Sequence, residues 1–478
     1  VFTGSANKPG GVSPFPDAPP AVPPGVVVKS PGVTNNSSFA DGISPFSSAC
    51  VDVPGASNGN NNIPLRFFIA DQGDALFDSG LLLDNLRLDR SCIPPEAVLL
   101  QQLTTTVKEL PLEVKNGALL QRFIRNGQAA AASDGSVVAF ISNADLTGDN
   151  PFHIEQVYSF AGGAFRRESA FTNSCAPPDP CETVQDLDIS RGGRWIAVAA
   201  RATDGDNLEI YRIDRNNASV QQITNTSGCD NTAPSINNDG SGIAFLSNCP
   251  DFLLQGGSMM KMVLWNNGSF INNTAASSCR DHAPAVNGNN NRRFTAFASN
   301  CNHGGLNPGG EMAVFRFDRN GVGSFARVDN PGPAASDVVD INRNGDLIAY
   351  VAVHVAADGS ENVSAFRRDM GQALAELMGE SNPLSLVAGV RIIDENDGND
   401  LALERLDLLQ ADAPSTLWHV DATTQVSTPV GAGSADGGFS ISRSGGVRWI
   451  HFTSGEDPVG QNGMPEENIE LFQARIEP

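Results

Sequence analysis

Asn237-Asn238-Asp239-Gly240-Ser241-Gly242-Ile243-Ala244-Phe245 decides the fold. A turn pair, Asp239-Gly240, stands ahead of a short apolar strand. The unit recurs as Ser133-Asp134-Gly135 before Val137-Val138-Ala139-Phe140, and as Arg343-Asn344-Gly345 before Leu347-Ile348-Ala349-Tyr350. Asp-Gly and Asn-Gly pairs accept the positive φ that tight hairpins need. Further copies centre on Gly192-Gly193, Asn289-Asn290, Asp397-Gly398 and Ser444-Gly445, so the unit returns roughly every fifty residues. Each turn precedes a second strand and then a third, such as Leu208-Glu209-Ile210-Tyr211, Met262-Val263-Leu264-Trp265 or Val314-Phe315-Arg316-Phe317. Repeats of this length with four strand-sized runs predict an all-β, seven-bladed β-propeller.

The last repeat ends after its third strand, Ile469-Glu470-Leu471-Phe472, whereas Ala118-Leu119-Leu120-Gln121-Arg122-Phe123-Ile124 stands alone before the first hairpin. Pairing 118–125 with 469–474 closes the ring, removes its sheet edges and gives a propeller over 118–478. Residues 94–117 read as a linker with a short helix: Pro94 and Pro95 suit a first turn, and Leu99, Leu100 and Leu103 share a side. Residues 1–34, with Pro14, Pro16, Pro19, Pro20, Pro23 and Pro24, read as an extended arm. Residues 35–93 read as a small β-sandwich-like domain with strands at 65–70 and 81–88 around an acidic loop.

Of 478 residues, 31 are basic and 54 acidic, a net charge of -23. Such a surface repels phosphate backbones and anionic lipid heads, so nucleic acid and membrane-surface binding are not expected. No run approaches the roughly 18 apolar residues of a membrane span. The start at Val1, without a signal-like stretch, reads as a processed polypeptide.

Eight cysteines are present, and hairpin symmetry pairs four of them. Residues equidistant from an antiparallel turn face each other. Cys229 and Cys249 are centred on Asp239, and Cys279 and Cys301 on Asn290. Cys175 and Cys181 flank Ala-Pro-Pro-Asp-Pro and bridge locally, which leaves Cys50 with Cys92. Disulfides imply an oxidising compartment: the cell surface or the medium first, the periplasm second.

In a propeller the first strand of each blade lines the channel. The loops before it and after the second strand share one face. Both hairpin disulfides, Asp230, Asp281, His282, His303 and the long loop after Cys301 therefore mark the expected contact face. Asp71, Asp74, Asp78 and Asp84 are candidate calcium ligands, since calcium takes clustered oxygens. The run Asp394-Glu395-Asn396-Asp397-Gly398-Asn399-Asp400 departs from an EF-hand loop in its glycine and its missing glutamate, and reads as a blade turn. Asp145 and Asp149 are weaker metal candidates still. The six histidines show no zinc or copper spacing, although His282 and His303 flank one predicted bridge. No nucleophile elbow, His-Glu-x-x-His or phosphate-binding glycine loop is present.

Two resemblances add to this reading. Ile69-Ala70-Asp71-Gln72-Gly73-Asp74, Phe77-Asp78-Ser79 and Leu83-Asp84-Asn85-Leu86-Arg87-Leu88, with Ile43-Ser44-Pro45-Phe46 upstream, resemble the closing half of the bacterial choice-of-anchor β-sandwich domains. That likeness implies a secreted or surface protein, but the usual front half is missing. Ala233-Pro234-Ser235-Ile236-Asn237-Asn238-Asp239-Gly240-Ser241-Gly242-Ile243-Ala244-Phe245-Leu246-Ser247-Asn248 and Ser142-Asn143-Ala144-Asp145-Leu146-Thr147-Gly148-Asp149-Asn150 resemble the TolB-like propeller repeats. These blades serve scaffolds, receptors and enzyme appendages alike, so the resemblance implies a fold rather than a chemistry.

The expectation is a non-enzymatic binding or assembly protein, secreted or on the cell surface, contacting other protein subunits or surface glycans. It needs no cofactor beyond calcium. The alternatives are a hydrolase or metal-dependent enzyme at the channel mouth, using carboxylates and His282, and a periplasmic TolB-like accessory of an envelope complex.

Overall fold

A computed structural model describes residues 97–106 and, with breaks at loop segments, 113–477, together with 28–29 and 50–51. Two compact units divide the chain, Val1–Glu96 and Ala97–Pro478. In the first, Val28–Lys29 pairs antiparallel with Cys50–Val51. The calcium candidates Asp71, Asp74, Asp78 and Asp84, and the sandwich-like stretch carrying them, lie outside the described residues. So do Cys92, Cys175 and Cys181, and with them the pairs Cys50–Cys92 and Cys175–Cys181.

The second unit is a seven-bladed propeller, seven four-stranded antiparallel sheets in sequence around a ring. Blades 1 to 6 open with the strands Asn126–Ala131, Val184–Ile189, Asn231–Ile236, Asp281–Val286, Val339–Ile341 and Ser385–Ile392. Each then runs outward in chain order through three more strands. Blade 7 is composite: Phe439–Ser444, Val447–Ser454 and Glu470–Glu477 come from the C-terminus, and Ala97–Gln102 supplies the outer strand.

Ring closure therefore follows the expected principle with a different strand. Ala97–Gln102 pairs with Glu470–Glu477, Leu100 opposite Ala474, where a short helix was expected. Ala118–Leu120 pairs instead with Glu113–Lys115. The physical reason is the period. Val98 and Leu100 pack on the core of blades 6 and 7, while Leu99 between them is 52% exposed. That is the alternation of an edge strand, not a helical stripe.

One packing rule repeats between blades. The residue at the centre of the second strand is Ala139, Ala197, Ala244, Ala296, Ala349 and Ala402 in blades 1 to 6, all fully buried. The small side chain lets the next blade approach closely. Beside it, Arg212, Arg316 and Arg367 sit opposite Ala197, Ala296 and Ala349 on the third strand. Their Nη1 groups donate to the turn carbonyls of the following blade: Gly240 (2.5 Å), Gly345 (2.9 Å) and Gly398 (3.3 Å). Gly240, at φ +70°, lies flat on Trp195, and a Cβ there would stand 2.5 Å from the indole. Arg194 and Arg212 stack on that ring, each at 4.5 Å. Blade 7 breaks the rule, with His451 in the alanine position.

Candidate functional site

Both hairpin disulfides form as the spacing predicts, Cys229–Cys249 and Cys279–Cys301, with Cα atoms 5.1 Å and 5.0 Å apart. They occupy equivalent places in blades 3 and 4. Each ties the chain just before a first strand to the exit of the second, where Ser247 or Ser299 Oγ accepts the cysteine amide, at 3.1 Å or 2.9 Å. Both bridges lie at the same end of the ring.

The named residues of this face divide. Asp230 is half-buried and accepts Leu208 N–H at 2.8 Å. His282 is also half-buried. Asp281 and His303 meet, but both are 2% exposed, so as surface contacts they are corrected. His303 Nε2 lies 3.2 Å from Asp281 Oδ1 and 3.1 Å from Ser299 Oγ. Phe325 stacks on the imidazole at 4.5 Å, with Phe297 and Phe315 edge-on. Asp281 Oδ2 also accepts Met262 N–H at 2.9 Å, which ties blade 4 to blade 3. A pairing of His303 with His282 does not arise, because neighbours along a strand point to opposite faces.

Asp281, Cys301 and His303 bring ligand atoms within 4.8 Å of one another. Cys301 is in a disulfide and supplies no thiolate, so two protein ligands remain, short of a closed metal site. The aromatic packing around His303 makes the cluster a joint between strands.

The channel holds polar groups that were not singled out from the sequence. Its cavity measures about 340 Å³ and is lined by the first strands. The residues opposite the central second-strand position face it: Ala130, Asp188, Ser235, Ala285, Asp340, Arg391 and Ser440. Three reach across to the next blade. Asp188 Oδ2 accepts Ile236 N–H (2.8 Å), Ser235 Oγ accepts Val286 N–H (3.1 Å) and Asp340 Oδ2 accepts Ile392 N–H (2.9 Å). A layer further along, Gln128 Nε2 donates to Asp186 Oδ1 at 2.7 Å, and Asp186 Oδ2 accepts Ala233 N–H at 3.2 Å. Gln128, Ala233 and Ala283 adopt positive φ where first strands bulge.

Burial in this narrow space pushes the Asp188 carboxyl up to about 6, against its hydrogen bond from Ile236, and the charge of Asp340 adds to the rise. Burial also raises Asp340, with Arg391 pulling it back. The signal for these carboxylates was present as the Asp-Ile pairs Asp188-Ile189 and Asp340-Ile341, a few residues before their turns. Only the blade phase shows that they point into the channel.

Comparison with known proteins supports the fold and stops there. An oligogalacturonate lyase from Vibrio parahaemolyticus superimposes with TM-score 0.52 at 10% identity, over 80% of this chain and 98% of its own. An oligogalacturonate lyase in complex with manganese matches at TM-score 0.52 and 11% identity, over the same shares. TolB from Acinetobacter baumannii matches at TM-score 0.41 and 16% identity, over 64% of this chain and 65% of its own. No protein-family model matches, and neither does any curated protein. The second unit shares the propeller fold of the two lyases, and identities this low carry no activity with them. Its disulfides fit an envelope or extracellular location, and no helix among the described residues is long and apolar enough to cross a membrane.

Proposed function

We propose that the chain is a non-enzymatic binding protein, secreted or displayed on the cell surface. It would hold a protein subunit or a surface glycan against the bridged end of its propeller. The observation that carries this reading is the pair of equivalent disulfides at one end of the ring. They hold the loops around Asp230 and after Cys301 on a rigid scaffold, as recognition loops require. The groups nearest to chemistry are occupied: His303 and Asp281 brace a blade joint, and Asp188 and Asp340 hold backbone amides of their neighbours. Calcium at Asp71, Asp74, Asp78 and Asp84 belongs to the same proposal.

Photo-crosslinkers placed singly at Asp230 or Leu306, and at the opposite end at Asn238 or Asn290, test it in the native source. Adducts of one discrete mass from the first pair alone are expected. Adducts from the turn end alone would overturn the reading. A competing reading is catalysis in the channel, which the raised carboxyls Asp188 and Asp340 favour. Oligogalacturonate with manganese is the first substrate to try, given the lyases of similar fold. Turnover abolished by Asp188→Asn would replace the binding proposal. A periplasmic accessory role is separated from a surface role by fractionating cells and medium.

A further inference from the structure

The two equivalent disulfides stand in opposite electrostatic surroundings. What differs is the residue that opens the third strand of the preceding blade: it touches one bridge directly and stands one hydrogen-bonded group away from the other. For Cys279–Cys301 it is Lys261, opposite Ser247, 2% exposed. Its Nζ donates to the Cys279 carbonyl and lies 2.9 Å from Cys279 Sγ and 3.3 Å from Cys301 Sγ. For Cys229–Cys249 the same position is Glu209, opposite Ala200. Cys249 Sγ lies 3.3 Å from Thr226 Oγ1, which donates to the Glu209 carboxylate, and 3.7 Å from Oδ1 of Asn231, whose Nδ2 donates to the same carboxylate. A neighbouring ammonium stabilises thiolates, and a neighbouring carboxylate opposes them.

Access differs in the same sense. Cys279 is half-buried, whereas Cys301, Cys229 and Cys249 are buried. We infer that Cys279–Cys301 is a thiol-exchange site, open to small thiols at Cys279 Sγ, while Cys229–Cys249 is a permanent brace. The thiolate of a dithiol reductant attacks Cys279 Sγ. The Sγ–Sγ bond breaks, and its electron pair leaves on Cys301 Sγ, beside Lys261. The second thiol of the reductant then closes on the mixed disulfide and frees Cys279. The sum is one oxidised dithiol and two cysteine thiols, whose protons come from the reductant. The loop after Cys301 is thereby released from its anchor on the bridged face. This inference does not depend on what that face binds.

The full chain, equilibrated at pH 7 across graded ratios of reduced to oxidised dithiothreitol and then alkylated, tests it by peptide mass. Cys279 and Cys301 are expected to become alkylated at a ratio at least ~10-fold lower than Cys229 and Cys249, since each unit by which the ammonium holds a thiolate's pKa below the working pH favours the reduced form tenfold. Lys261→Met should narrow that gap about tenfold, and Lys261→Arg should keep it. Brief exposure of the wild type to glutathione should leave the adduct on Cys279, a readout independent of whether the variants fold. Both bridges opening at one ratio, Cys229–Cys249 opening first, or an adduct on Cys301 would each overturn the inference.

Discussion

His451 is where one residue departs furthest from the repeat. Six blades place a buried alanine there, and blade 7 places a fully buried imidazole with Gln473 opposite it on the next strand. On the same two strands, the Ser440, Ser442 and Thr453 hydroxyls are buried with no hydrogen-bond partner among the described residues. Burial holds His451 down to about 4, with Gln473 pulling weakly the other way. A base depressed on folding binds fewer protons folded than unfolded, so stability is full above about pH 6.5 and is lost as pH falls toward 4. The loss should approach roughly 3 kcal/mol. Asp188, raised on folding, acts in the opposite sense over part of that window. The readout is therefore the difference between wild type and His451→Ala in denaturant melts at pH 7 and pH 4.5. The variant should be relatively more stable in acid. An unchanged difference would mean that His451 stays hydrated.

At the scale of the element, the inter-blade turn can be tested at one glycine. Gly240→Ala forces a side chain into the left-handed region and against Trp195, and should cost at least about 2 kcal/mol. Gly445→Ala carries a similar φ, +58°, with open space around it, and should cost only about 1 kcal/mol. Equal thermal shifts would contradict the role given to the indole. The bridge slot makes a second case. Ile124 and Ala144 stand in blade 1 where blades 3 and 4 place their cysteines, and Ala144 N–H donates to Ser142 Oγ at 3.0 Å as the cysteine amides do. The double variant Ile124→Cys and Ala144→Cys should oxidise to a third bridge and gain about 2–4 kcal/mol over its reduced form. Failure to oxidise would show that the slots are not equivalent.

Much of this was legible in the chain, because hairpins are local. Asp239-Gly240 fixes a turn, the turn fixes which residues face each other, and the facing pairs place two disulfides. The closing strand was not legible, because six residues of Ala-Val-Leu-Leu-Gln-Gln satisfy a helical stripe and a strand alternation alike. Tertiary pairing over more than 360 residues decides between them. The burial of Asp281 and His303 was hidden for the same reason: their strand fixes an end of the ring, but the neighbouring blade fixes the depth.

For the whole molecule, the position of the contact end depends on blade phase, and blade phase depends on how the ring shuts. A ring shut by Ala97–Gln102 gives blade 7 its fourth, outer strand, and both bridges fall at one end. Hydrogen exchange on the intact chain, resolved to short peptides, reads this directly. The alternate amides of 97–102 that point toward 470–477 should exchange as slowly as those of 470–477, and both strands should be released together in mild denaturant. Free exchange of 97–102, with slow exchange across 118–124 instead, would contradict this closure.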